Sequence, residues 1–187
     1  MNIMVVGVGG QGTLLTSRII GKTALLQGFD VKLSEVHGMA QRGGSVVTFV
    51  RYGERVFEPV VEEGEVDVLI AFECLEALRY AHFLKKDGTL IVNDCRIDPM
   101  TVVIGAASYP ENILSSLSAE HTVKTIDGSA VARELGNSRV LNSVVLGLAA
   151  REIGFTKDAW LEVLRATVPP KTVAINEAAF NAGYGKE

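Results

Sequence analysis

The sequence has few cysteines, no clustered basic residues and no long apolar run, and each shortage excludes a class of protein. Its two cysteines, Cys74 and Cys95, are too few for a disulfide framework, a cysteine-rich zinc site or an iron–sulfur cluster. The formal net charge is −4, so the basic stripe of a nucleic-acid-binding protein is missing. Apolar stretches such as Val144–Ala150 are far shorter than the ~20 residues of a membrane span. We therefore expect no metal, no nucleic acid and no membrane among the ligands and partners of this chain.

The chain contains enough hydrophobic residues to form a buried core. Of its 187 residues, 48% are hydrophobic, 21% are charged and 6% are aromatic. This length and composition exclude intrinsic disorder. Because no linker, repeat or low-complexity segment interrupts the sequence, we predict a single domain over residues 1–187. The N-terminus has neither the basic segment nor the cleavage site of a secretory signal, so we expect a cytoplasmic protein.

Short apolar runs alternate with helical patterns along the chain. Continuous runs such as Ile3–Val6 predict strands that are covered on both faces, as in a parallel sheet between helices. Leu15, Ile19 and Leu26 form the apolar stripe of a first helix, and Leu75, Leu78 and Phe83 support a second one that begins at Glu73. We predict an α/β fold, a three-layer Rossmann-like sandwich with a mixed, mostly parallel sheet and a helical C-terminal third. The predicted strands are Ile3–Val6, Val31–Leu33, Ser45–Tyr52, Val66–Phe72, Thr89–Val92 and Thr122–Ile126, and the predicted C-terminal helices are Pro110–Leu117, Ser129–Leu135, Val140–Ile153, Thr156–Ala166 and Thr172–Ala182.

One segment departs from the strand–helix–strand alternation. A glycine-rich loop follows Val31–Leu33, at the place where a second crossover helix is expected. After the strand Ser45–Tyr52, Gly53-Glu54 has the composition of a hairpin turn. We therefore predict an antiparallel hairpin that continues into Arg55–Phe57.

A glycine-rich turn lies between the first predicted strand and the first predicted helix. It reads Gly7-Val8-Gly9-Gly10-Gln11-Gly12, the spacing of a phosphate-binding turn. In that interpretation Gly7 permits the tight turn, Gly9 lets the backbone approach a phosphate, and Gly12 lets helix and strand pack closely. Free N–H groups and the helix dipole favour an anion there. The turn, with Gly10 and Gln11, is a candidate ligand site; the alternative is that its glycines serve packing alone.

A dinucleotide site is one alternative use of this turn. The acidic residue that binds the ribose of such a cofactor would be Glu35, at the end of the second strand. Against this stands the glycine-rich loop that replaces half of a nucleotide-binding unit. The turn also resembles that of ubiquitin-activating-type adenylating enzymes, but the chain has no CxxC zinc motif. A stand-alone NAD(P)-dependent reductase remains an alternative function.

The segment Glu35–Val46 concentrates polar side chains among glycines. Glu35, His37, Gln41 and Arg42 lie beyond a predicted parallel strand, where open α/β sheets bind their ligands. The guanidinium of Arg42 presents a fixed fork of donors that suits phosphate or carboxylate. The structural alternative is that Arg42 pairs with Glu35 while His37 caps a turn. We predict all four residues as candidate binding residues.

Polar residues also follow the two next strands. Glu73 comes after Val66–Phe72, and Asn93 and Asp94 come after Thr89–Val92. They are predicted to line one crevice with the glycine turn and Glu35, because the carboxyl ends of parallel strands share one edge of the sheet. Helix capping and turn formation are the alternative for all three residues.

These motifs together resemble one family. The chain is similar to the gamma-type subunits of 2-oxoacid:ferredoxin oxidoreductases, in particular to the small (beta) subunit of the indolepyruvate enzymes. The resemblance covers almost the whole chain. The motifs that carry it are GVGGQG at Gly7–Gly12, EVHGMAQRGGSV at Glu35–Val46, AFECLEALR at Ala71–Arg79, Leu141-Asn142, Leu146-Gly147, Asn176-Glu177-Ala178-Ala179-Phe180 and Gly183.

The resemblance implies that this chain is one part of a larger enzyme. Such complexes decarboxylate a 2-oxoacid on thiamine diphosphate, pass electrons through iron–sulfur clusters to ferredoxin and release an acyl-CoA. The resemblance places thiamine diphosphate, Mg²⁺ and the clusters in a larger partner subunit, and leaves this chain a CoA-accessible surface but no assigned catalytic residue. It implies that the isolated chain is inactive, and the exposed partner surface would favour a homodimer. A scaffold subunit that binds no ligand is the further alternative.

Overall fold

A six-stranded mixed sheet forms the centre of the molecule, whose computed structural model describes residues 1–38 and 44–186. The strand order is β2-β3-β1-β4-β5-β6. β1, β4, β5 and β6 are parallel to their neighbours in that series, whereas β3 is antiparallel to both β1 and β2. The predicted sheet is confirmed. Its strands are β1 (Asn2–Val8), β2 (Asp30–His37), β3 (Ser45–Gly53), β4 (Val66–Ala71), β5 (Leu84–Asn93) and β6 (Thr122–Ile126).

Helices cover both faces of this sheet, as predicted for three layers. One buried cluster joins the sheet to α1, α5, α6, α7 and α8, and a second joins the opposite face to α2 and α4. No helix in the described part of the chain has the length and apolar character needed to cross a membrane. The helices are α1 (Thr13–Leu26), α2 (Cys74–Tyr80), α3 (Met100–Val103), α4 (Ile113–Glu120), α5 (Gly128–Glu134), α6 (Leu141–Ile153), α7 (Lys157–Thr167) and α8 (Val173–Tyr184).

The predicted hairpin partner Arg55–Phe57 is wrong, because this segment forms no strand. The strand before it, β3, has β2 on one side and β1 on the other, so it offers no free edge to a third partner. The antiparallel hairpin is instead the pair β2 and β3, with Asp30 opposite Gly53. The segment after β3 instead contacts the start of β2, since the N–H of Val56 donates to the carboxylate of Asp30 at 2.9 Å.

The buried face of α1 differs from the predicted stripe. Leu26 is 47% exposed, whereas Ser17 and Thr23 are completely buried. Their hydroxyls donate to carbonyl oxygens one turn earlier in the same helix, at 2.7 Å and 2.8 Å, and are therefore satisfied without water. These short side chains let α1 lie close to the sheet. Small polar residues, rather than leucine alone, therefore form part of the buried face of this helix.

The crossing of α6 and α8 brings two helix backbones into direct contact. A β-carbon added at Gly147 would lie 2.1 Å from the carbonyl oxygen of Phe180, and one at Gly183 would lie 1.9 Å from that of Val144. The Ser143 hydroxyl donates to the side-chain oxygen of Asn176 at 2.7 Å across the same crossing. The small residues that the sequence places on this helix therefore serve close packing within the core.

Candidate functional site

The glycine turn occupies the topological switch point of the sheet. From β1 the chain runs through α1 to the β2–β3 side, and β4 lies on the other side of β1. Open α/β sheets bind ligands at such points. Gly10 and Gly12 have φ angles of 102° and 87°, the left-handed region that favours glycine. At Gly7 a β-carbon would lie 2.9 Å from the Thr13 side chain. The turn therefore requires glycine at all three positions.

The side chain of Gln11 closes this turn from within. Its oxygen accepts a hydrogen bond from the N–H of Val8 at 2.7 Å, and its nitrogen donates to the carbonyl of Phe72 at 2.9 Å. The N–H of Gly9 donates to the carbonyl of Gly44 at 3.0 Å. Two donors that a phosphate could have used are thus already engaged. An anion at this turn would therefore be bound by the N–H groups in the first turn of α1. The hydrogen bonds of Gly9 and Gln11 would stabilise the conformation of the turn.

Glu35 lies away from the glycine turn. It faces Thr48 of β3, whose hydroxyl donates to its carboxylate at 3.1 Å, and Thr48 in turn faces Val5 of β1. A complete strand therefore separates Glu35 from β1. In a dinucleotide-binding unit the ribose-binding acid stands on the strand next to the glycine turn. In this structure the strand next to β1 on that side is β3 and not β2, which weakens the dinucleotide interpretation.

The prediction that Glu35 and His37 lie beyond a parallel strand is wrong: both belong to β2, which is antiparallel to β3, and His37 ends that strand opposite Val46. Gln41 and Arg42 lie outside the described residues. The roles predicted for Gln41, Arg42 and the His37 side chain therefore stay predictions.

Glu73 does stand at the predicted edge of the sheet, as the N-cap of α2. Its side chain is 1% exposed and accepts hydrogen bonds from the N–H of Glu76 at 2.9 Å, the N–H of Ile97 at 3.1 Å and the hydroxyl of Tyr109 at 2.5 Å. Burial and the bond to Glu73 raise the pKa of Tyr109. Glu73 thus fixes both ends of the segment that follows β5, which agrees with the capping interpretation.

Asn93 is also structural. Its side chain is completely buried, donates to the carbonyl of Phe72 at 3.1 Å and accepts from the N–H of Gly128 at 2.9 Å. The Phe72 carbonyl therefore receives both Asn93 and Gln11, and through it the glycine turn and the ends of β4 and β5 are joined. Asn93 therefore joins these elements from inside the molecule and, being completely buried, does not itself face a crevice.

A polar cluster that sequence reasoning missed lies beside Glu73. The carboxylate of Glu76 is 5% exposed, binds the hydroxyl of Ser45 and pairs with the guanidinium of Arg79 at 3.3 Å. Burial raises the pKa of Glu76. These residues line a cavity of 120 Å³ next to Val8. Because Ser45 begins β3 and Glu76 lies on α2, no local motif could have connected them.

A larger cavity of 600 Å³ opens on the α2 face of the same edge. Cys74, Asp94 and Arg96 form part of its wall, and the guanidinium of Arg96 lies 4.3 Å from the centre of the Tyr109 ring. This volume is in the range of small-molecule sites. Most of its other lining residues come from the irregular segment before α4. This segment has no helical or strand periodicity in its sequence, so the sequence could not predict that these residues line a cavity.

The two cysteines are free thiols, Cys74 buried and Cys95 partly exposed, and their surroundings fit packing residues. Burial raises the pKa of the Cys74 thiol to about 11 and also raises the pKa of Cys95. A thiol of this kind is a poor nucleophile, because only the thiolate reacts. In residues 1–38 and 44–186 there is also no group of three His, Cys, Asp or Glu side chains that could hold a metal ion.

At pH 8 we expect iodoacetamide to alkylate Cys74 roughly 100-fold more slowly in the folded chain than in the chain unfolded by urea. The physical reason is the small thiolate fraction of a thiol with a pKa of about 11. Mass spectrometry of digested samples measures the rate at each cysteine, with Cys95→Ser as the variant that isolates Cys74. Labelling of folded Cys74 at the unfolded rate would contradict the packing role.

A three-layer α/β sandwich with a glycine turn at its switch point defines a Rossmann-like domain. Residues 2–186 match the pyruvate ferredoxin/flavodoxin oxidoreductase family, and the chain belongs to that family. It is 42% identical to the indolepyruvate oxidoreductase subunit IorB of Pyrococcus horikoshii, over 97% of this chain and 93% of that one. It is 30% identical to the 2-oxoglutarate synthase subunit KorC of Methanothermobacter marburgensis, over 97% and 93%.

The same fold occurs inside a longer protein. The structure of 2-oxoglutarate:ferredoxin oxidoreductase from Magnetococcus marinus, with 2-oxoglutarate, coenzyme A and succinyl-CoA bound, superimposes with a TM-score of 0.76 at 21% identity. The match covers 98% of this chain but only 30% of that chain. There, the equivalent of this domain is covalently joined to the remainder of a larger polypeptide.

Proposed function

We propose that this chain is the small, non-cofactor subunit of a cytoplasmic complex that oxidatively decarboxylates 2-oxoacids to acyl-CoA and passes the electrons to ferredoxin. We favour indolepyruvate and other aryl-pyruvates as substrates. The observation that carries the proposal is the similarity over nearly the full length of the chain, 42% to an indolepyruvate oxidoreductase subunit against 30% to a 2-oxoglutarate synthase subunit.

The proposal assigns thiamine diphosphate, Mg²⁺ and the iron–sulfur clusters to the larger partner subunit. Residues of this chain do not fit a cluster, because Cys74 and Cys95 are its only cysteines and an iron–sulfur cluster requires about four thiolates. The contribution of this chain is then to build one wall of the site and to bind a phosphate-bearing co-substrate, CoA, at the glycine turn. The uncapped first turn of α1 supports that role, since it attracts anions.

An exposed apolar segment supports the partner assignment. Met100, Val103 and Ile104 are 71%, 65% and 68% exposed. They lie within Pro99–Pro110, which contains no Asp, Glu, Lys, Arg or His. Glu73 fixes this segment at the edge of the sheet through Ile97 and Tyr109. A contiguous apolar surface of this kind is typical of a protein–protein contact, and we assign it to the larger subunit.

Reconstitution tests the proposal. We expect the purified chain to reduce no viologen dye with indolepyruvate and CoA until the larger subunit is added. Val103→Asp should weaken assembly about tenfold or more in a pull-down or sedimentation titration, because a buried unpaired carboxylate is costly at an interface. Val60→Asp, at a valine that is 54% exposed near the start of β1, is the matched control and should leave assembly unchanged.

Two outcomes would contradict this function. Oxidation of NADH or NADPH by the chain alone would favour the stand-alone reductase. A chain that changes neither turnover nor CoA affinity when it joins the larger subunit would favour the ligand-free scaffold. Sedimentation of the isolated chain tests the homodimer: dimerisation that Val103→Asp abolishes would show that the apolar segment also pairs with itself.

A further inference from the structure

The first residue of β3 connects the glycine turn to α2. Ser45 is paired with Val8, the last residue of β1, and the carbonyl of Gly44 accepts a hydrogen bond from the N–H of Gly9 at 3.0 Å. That carbonyl belongs to the same planar peptide unit as the backbone nitrogen of Ser45, so the position of Ser45 sets the position of the carbonyl. The hydroxyl of Ser45 donates to the carboxylate of Glu76 on α2.

Glu76 is a buried group on a helix whose start is fixed. Its N–H donates to the carboxylate of Glu73, the N-cap of α2, at 2.9 Å. Its own carboxylate lies 3.3 Å from the guanidinium of Arg79, and the hydroxyl of Tyr80 lies 3.2 Å from that of Ser45. A buried carboxyl group requires such partners, because burial without them is costly. Ser45 therefore contacts two side chains of one anchored helix.

Hydrogen bonds, rather than close apolar packing, join Ser45 to this helix. The cavity of 120 Å³ lies among Val8, Ser45, Glu76 and Arg79, so side chains do not fill the space at this point. In a closely packed interior the neighbouring side chains would themselves hold a strand in place. Because that contribution is reduced beside the cavity, the contact between Ser45 and Glu76 gains weight in fixing the start of β3.

We propose that Glu76 is a positioning residue for the glycine turn: through Ser45 it holds the carbonyl of Gly44 against the N–H of Gly9. The turn then has its binding conformation before a ligand arrives, and no binding free energy is lost in ordering it. The inference rests on the proposed function for the identity of that ligand, CoA. Glu76 acts through the backbone of β3, so its role is separate from that of any group that contacts the ligand.

Amide hydrogen exchange of the full chain, followed by NMR, tests this connection without a ligand. Ser45→Ala and Glu76→Ala should each speed exchange at Gly9 about tenfold, because its N–H loses a well-positioned acceptor. The amide of Leu148, buried in the middle of α6, should keep its wild-type rate. Glu76→Gln retains an oxygen that can accept from Ser45 and should restore slow exchange at Gly9. Glu120→Ala, at an exposed residue of α4, is the matched control and should leave the exchange at Gly9 unchanged.

Calorimetric titration of CoA into the reconstituted complex tests the consequence for binding. Ser45→Ala and Glu76→Ala should each raise the Kd for CoA about fivefold, the effect of losing one hydrogen bond. The double variant should raise it no further, because both substitutions remove the same contact. In steady-state turnover the loss should appear in the KM for CoA while kcat stays near that of wild type. Glu76→Gln should recover most of the affinity.

Three results would overturn the positioning role. The first is wild-type exchange at Gly9 in Glu76→Ala, and the second is faster exchange at Gly9 and Leu148 alike, which is the sign of general destabilisation. The third is an unchanged Kd for CoA in a complex whose Gly9 amide exchanges faster. Failure of the proposed function is distinguishable from all three: a wild-type complex that neither binds CoA nor turns over would end that function, while exchange at Gly9 would still decide whether Glu76 positions the turn.

Discussion

Gly147→Ala is expected to lower the free energy of unfolding by about 3 kcal/mol or more. The added β-carbon would lie 2.1 Å from the carbonyl oxygen of Phe180 and 2.8 Å from the backbone nitrogen of Tyr184. Both atoms are backbone of α8, so no side chain can rotate away and the helices must separate. For a chain of this size the loss corresponds to a fall of about 6–12 °C in melting temperature. Thermal and urea unfolding measure it.

Gly21→Ala is the matched control, because Gly21 is also inside a helix. Its nearest neighbour would be a side-chain carbon of Val31 at 3.5 Å, an ordinary contact. Alanine should therefore stabilise α1 by about 0.5–1 kcal/mol through its higher helix propensity. Gly183→Ala should resemble Gly147→Ala, since it meets the carbonyl of Val144 at 1.9 Å. Wild-type stability in both crossing variants would show that α6 and α8 do not pack as described.

Glu73→Ala is expected to cost about 3 kcal/mol or more of stability. The substitution removes the N-cap of α2 and leaves the N–H of Ile97 and the hydroxyl of Tyr109 without their acceptor. Chemical unfolding measures the loss, and Glu54→Ala, at an exposed turn residue, should change stability by less than about 0.5 kcal/mol. If Glu73 were mainly a ligand-binding residue, its removal would leave the fold stable and affect binding alone.

A spectroscopic readout isolates the contact between Glu73 and Tyr109. Because the Glu73 carboxylate contributes to the raised pKa of Tyr109, Glu73→Gln should lower that pKa toward its ordinary value. The ultraviolet difference spectrum of tyrosinate in an alkaline titration follows this change. Tyr109→Phe, which lacks the phenol, identifies the signal. An unchanged titration in Glu73→Gln would show that the carboxylate does not face the phenol.

Local patterns in the sequence predicted most of the strands and helices and the position of the glycine turn, although Arg55–Phe57 was wrongly predicted as a strand and α3 was not predicted. The apolar run Ile3–Val6 predicts a strand buried on both faces, and β1 is such a strand. The limits of Thr122–Ile126 are those of β6. These features depend on hydrogen bonds and side-chain periodicity within a few residues, which is information that a segment carries by itself.

Only the tertiary structure decided which distant groups meet. That Arg55–Phe57 is excluded from the sheet follows from the pairing of β3 with both β1 and β2. The sequence left the role of Glu73 open between capping and ligand binding, and only the fold shows that its carboxylate accepts hydrogen bonds from Glu76, Ile97 and Tyr109. Such contacts depend on strand order, register and helix crossing, which are properties of the whole sheet and its layers. Because hydrogen-bond partners far apart in the chain are chosen by that arrangement, no local pattern could assign them.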